Sequence, residues 1–141
     1  MSTCKWQRGT LAAIEHAGPR WSGVWSLLYT AGTAATTLAT RTSLLAGSEL
    51  TWAAMSLRWA RDEIEHAHGE LPFTSPTVDL GDRGPDDDPA VAGAILGDLT
   101  AAVLERLHPM AVGGDPAAAD LTDRISSLVR SATPAFAEPA P

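Results

Sequence analysis

Apolar residues recur along most of this chain at steps of three and four, and the two-residue alternation of a half-buried strand is missing. The pattern predicts an all-α fold of five helical segments. The first covers residues 3–17 and ends at Gly18-Pro19, a C-terminal glycine followed by a residue that cannot continue the helix. The second runs from residue 19 or 22 to 46, with Val24, Leu27, Leu28, Ala31, Ala34, Ala35, Leu38 and Leu45 on one face. Gly47 and Ser48 then read as a stop and a new N-cap. The third segment, 49–68, carries Leu50, Ala53, Leu57, Ala60, Ile64 and Ala67 in a seam suited to helix packing.

Between residues 71 and 88 the periodicity dissolves into Pro72, Pro76, Gly81, Gly84, Pro85 and the run Asp86-Asp87-Asp88, a long acidic crossover. Asp88-Pro89 and Asp115-Pro116 each set an N-cap acid before proline at the first helical position. They predict a fourth helix running to about residue 107, before His108-Pro109, and a fifth over 116–132. The fourth would turn Val91, Ile95, Leu99 and Ala102 to the core, and the fifth Leu121, Ile125, Leu128 and Ala132. The expected architecture is a four- to five-helix bundle over residues 1–133, with a disordered Pro/Ala-rich tail at 134–141.

Composition narrows the function. The chain has 141 residues, enough for one domain with one core. Its formal net charge of −7 and only ten Lys and Arg leave no basic stripe to neutralise phosphates, which argues against nucleic acid and anionic membrane partners. The uncharged stretch 21–40 is long enough to span a bilayer, but Ser22 and the threonines at 30, 33, 36, 37 and 40 mark it as a buried helix. Cys4 is the only cysteine, so an intrachain disulfide is impossible and a reducing cytoplasm is the expected compartment. The excess of Ala, Gly, Pro, Asp and Arg suggests a GC-rich bacterial genome.

Two pairs carry the most direct hint of chemistry, Glu63/His66 and Glu105/His108. The Glu-x-x-His spacing puts both side chains on one side of a helix about a turn apart, the construction of a helical carboxylate–histidine metal site. In this respect the chain resembles the ferritin-like di-iron proteins, and the resemblance implies Fe, Mn or Zn held by Glu63, His66, Glu105 and His108. The chain departs from that family where the second helix contributes no acid and the two motifs fall on consecutive helices. Counting 100° per residue, both pairs belong to outward faces, whereas di-iron ligands point into the bundle. A shorter likeness is Trp21-Ser22-Gly23, placed in the turn after the first helix; it is similar to the Trp-x-Gly turn of small helical hairpins exported by type VII secretion. Those proteins have two long helices of similar length, which the short first segment does not match.

Opposite the seam of the third helix stand Trp52, Met55 and Trp59, so the first half of that helix is apolar on two sides. Either it is a central helix buried front and back, or the stripe is an anchor for another protein or a second copy. No phosphate loop and no nucleophile–base arrangement accompanies it. The expected function is therefore a non-enzymatic interaction or self-association module, with Asp62, Glu63, Glu65, His66, His68 and Glu70 as the solvated end of the stripe and no cofactor. A metal-binding bundle is the alternative.

Overall fold

The computed structural model describes residues 5–18, 20–41, 44–80, 89–113 and 115–136. Cys4 and the aspartate run at 86–88 lie outside them. The described residues form six α-helices and no strand: α1 (Lys5–His16), α2 (Arg20–Arg41), α3 (Leu44–Ala67), α4 (Leu71–Thr74), α5 (Pro89–Gly113) and α6 (Pro116–Ala132), followed by a 3-10 turn, Thr133–Phe136. Among the described residues no helix is long and apolar enough to cross a membrane.

α2 packs against α3 and α5, and α6 packs against the same two helices. Every one of these contacts is antiparallel. Trp25 near the start of α2 meets Glu65 near the end of α3, and Gly23 lies beside Arg106 near the end of α5. Glu63 reaches Arg124 of α6, while Gly93 at the start of α5 lies against Phe136 beyond the end of α6. It follows that α3 and α5 run parallel on opposite sides of a shared core, joined by the long crossover. That core contains Leu27, Leu28, Leu57, Ile64, Leu96, Leu99, Val103, Ile125 and Val129, all fully buried.

The threonines of α2 are compatible with a helix because their hydroxyls donate back to the preceding turn: Thr30 to the Ser26 carbonyl, Thr36 to Gly32, Thr37 to Thr33 and Thr40 to Thr37. Thr30 also donates to the Val78 carbonyl at 3.0 Å. With the Ser22–Ser75 hydroxyl pair and buried Leu80 against Gly9, that bond straps the described part of the crossover across α1 and α2. α1 buries Trp6 and Ala13, and the Arg106 guanidinium donates to the Ile14 carbonyl at 3.1 Å, satisfying one of the orphan acceptors at its C-terminal end.

Several boundaries differ from the sequence reading: α2 ends at Arg41 rather than near 46, and the short α4 opens the stretch expected to be irregular from residue 71. Gly47-Ser48 does not break the chain; both lie inside α3, which begins at Leu44. A glycine costs a helix interior only about 1 kcal/mol, less than the α2–α3 contact supplies. Nor does Pro109 end α5, which continues to Gly113. Proline removes the bond to the carbonyl four residues back, and Glu105 and Pro109 are both on the exposed side, where water replaces that bond. Trp21-Ser22-Gly23 is the first turn of α2 rather than the turn before it. Pro134 to Phe136, placed in the flexible tail, are ordered in the 3-10 turn because Phe136 is buried against the core. Of the four expected core positions of α5, Ile95, Leu99 and Ala102 are buried and Val91 is only half-buried; the helix also buries Ala92, Leu96, Thr100, Val103 and Leu107, since it contacts α1, α2 and α6 together.

Candidate functional site

The neighbours of α3 decide which of its two apolar sides is core. α2 and α6 cover Ala53, Leu57, Ala60 and Ile64, all buried. The other side, Ser48, Trp52, Met55, Trp59, Asp62 and His66, is exposed. Trp52 is 61% exposed, Trp59 44% and Met55 38%, large values for residue types that otherwise fill cores. The two indoles meet edge to face across the intervening turns, with centroids 6.3 Å apart and planes at 74°. A pre-ordered aromatic pair on a rigid helix has already lost much of the rotamer entropy that a partner would otherwise have to remove.

The Glu-x-x-His residues are not brought together. Glu63 is ion-paired to Arg124, which also reaches Asp120 at 3.3 Å, an exposed network between α3 and α6. His66 is exposed at the end of the tryptophan stripe. Glu105 and His108 are exposed on α5. His108 borders an open groove of about 500 Å³ between α5 and α6, alongside Asp123, Ser126, Ser127 and Arg130. The crossover does set α3 and α5 parallel, so the ends carrying the two motifs lie at the same end of the molecule. The outward faces of helices on opposite sides of a core point away from each other, however. Among the described residues no group of three or more His, Cys, Asp or Glu side chains could hold a metal ion.

An aromatic cluster on the α2–α3 seam escaped the sequence reading. Trp25 Nε1 donates to Glu65 Oε1 at 2.9 Å, and Trp25 stacks on Tyr29 with centroids 5.6 Å apart. Arg61 lies 5.5 Å from the Tyr29 ring centre and 3.6 Å from Glu65, while Trp21 stacks on His68 at 5.8 Å. Glu65 and His68 are thus not simply part of a solvated end; they satisfy and cover buried tryptophans. The four-residue spacing of Trp21, Trp25 and Tyr29 was the available signal, but it names no partner until α3 is laid beside α2. Comparison with family models, with curated proteins and with solved structures returns no match to this chain.

Proposed function

We propose that this protein is a small non-enzymatic helical-bundle module that works by protein–protein contact or self-association, with Trp52, Met55 and Trp59 as its contact face. In this reading α2, α3, α5 and α6 are the four bundle helices, α1 is a fifth laid over them, and residues 71–88 are the acidic crossover loop. We place it in a reducing bacterial cytoplasm, on the lone cysteine and the composition. The observation that carries the reading is the exposed, edge-stacked Trp52–Trp59 pair on a helix whose opposite side is fully buried. Trp is the residue most enriched among interface hot spots, and a line of large apolar side chains on a rigid element is what such surfaces present.

Site-specific photo-crosslinking tests it. A benzoylphenylalanine in place of Trp59 is expected to give adducts of discrete mass in cells, lost when Met55→Glu is added. The same group in place of exposed Arg130 is expected to give none. Absence of discrete adducts at position 59, or equal yield at 130, would overturn the reading.

A further inference from the structure

The outward side chains of α3 that form the stripe stand at 48, 52, 55, 59, 62 and 66, spaced four, three, four, three, four. That spacing is symmetric about position 57. When two copies of such a helix pack antiparallel about a two-fold axis, facing positions sum to a constant, and here the whole stripe meets itself in one register. The chemistry of the facing pairs fits. Met55 faces the partner's Trp59 twice at the centre, a thioether against an aromatic ring. Trp52 faces Asp62 twice, offering its only donor, the indole N–H, to a carboxylate that can accept it. Ser48 faces His66 at the rim. The arrangement is an apolar centre flanked by two charge-assisted hydrogen bonds and closed by polar ends, the general anatomy of an interface.

We infer that the occupant of this face is a second copy of the same chain, bound antiparallel through α3 to give a two-fold dimer; the inference rests on the reading of Trp52, Met55 and Trp59 as a contact face. The paired stretch is about 27 Å long at 1.5 Å per residue, so the interface falls in the small class, below about 1,200 Å² in total. Association is accordingly weak and concentration-dependent. Each copy carries a formal net charge of −7. The two molecules repel at long range, and salt that screens this repulsion strengthens the dimer, whereas a basic partner would be weakened by salt.

Sedimentation equilibrium of the full chain at low and moderate salt, combined with cysteine cross-linking, tests the inference. Wild type is expected to pass from monomer to dimer as concentration rises, and to dimerise more tightly at moderate salt. Met55→Glu should weaken dimerisation by at least about a hundredfold, since it buries two unpaired carboxylates at the centre. Asp62→Asn, a milder change that keeps an acceptor oxygen but removes the charge from both two-fold-related hydrogen bonds, should weaken it by about tenfold. In a Cys4→Ser background, Ser48→Cys and His66→Cys chains should form disulfide-linked dimers when mixed and only background amounts when separate. A monomer at every concentration, or cross-linking as efficient in the separate chains as in the mixture, overturns the proposal. If the purified chain is monomeric but position 59 still captures another protein in cells, the self-pairing fails and the contact face stands. If neither occurs, both fail.

Discussion

Gly23→Ala is expected to destabilise the protein by about 3 kcal/mol or more, in the range reserved for substitutions with a specific steric cause. A Cβ built on Gly23 would stand 1.6 Å from the Gly18 carbonyl oxygen, and 3.2 Å from Nε of Arg106. Neither neighbour is free to yield. The Gly18 carbonyl is backbone in the tight connection from α1 to α2, where Arg20 is already held at a φ of 63°. Arg106 is fixed by its bond to the Ile14 carbonyl. The new methyl would therefore open the α1–α2 connection and lift α1, with buried Trp6, from the rest of the core. Urea titration followed by circular dichroism checks this. A midpoint within experimental error of wild type would contradict the close approach of Gly18 to Gly23. Gly32→Ala makes an informative control: its Cβ would meet Arg58 Cγ at 3.5 Å and Leu57 Cβ at 3.8 Å, ordinary contact distances.

The second large effect is a contrast between two residues of one helix. Leu57→Ala should cost about 2–5 kcal/mol, the transfer term of the lost methyl groups plus the cavity left beneath α2 and α6. Trp59→Ala, two positions on, should change stability by less than about 1 kcal/mol, because the side chain is exposed in the monomer with its ring set against that of exposed Trp52. Trp59 is the larger side chain, so judged by size alone the order would be reversed. Denaturant midpoints measured at a concentration where the chain is monomeric decide it. Equal losses for the two variants would mean that α3 is covered on both sides.

Much of the architecture could be read from local signals whose physics is local. α6 is the best case: Asp115 was expected to cap it, and its side chain accepts from the Ala118 N–H at 2.8 Å, with Pro116 at the first position. The seam of α3 was legible because Ala53, Leu57, Ala60 and Ile64 share one face whatever packs on it. Signals that depend on a neighbour were less faithful. Gly47-Ser48 and Pro109 are breakers only if nothing else holds the helix together, and here packing and an exposed carbonyl make them tolerable. Glu65 and His68 looked like solvated charge until α2 brought Trp25 and Trp21 to them.

The candidate site was legible in the same partial sense. Periodicity placed Trp52, Met55 and Trp59 on a common side opposite the seam, but whether that side faced solvent or a further helix depended on how many helices surround α3. Among the described residues α2, α6 and the 3-10 turn pack on α3, and the side carrying Trp52, Met55 and Trp59 is exposed. The twin Glu-x-x-His pairs show the converse. Their spacing was correct for a metal site, yet a site needs two helices to present those faces to each other, and the crossover sets α3 and α5 on opposite sides of the core instead.

The most direct measurement of the contact face is the tryptophan emission of the full chain as a function of concentration. Trp6, Trp21 and Trp25 are buried within the monomer and contribute a constant signal, so any change reports Trp52 and Trp59. The expected result is a shift to longer wavelength on dilution, as the two exposed indoles pass from a covered to a hydrated state. Met55→Glu should show the dilute spectrum at every concentration. Wild-type emission that is independent of concentration across the range where the chain is soluble would contradict the self-pairing of α3.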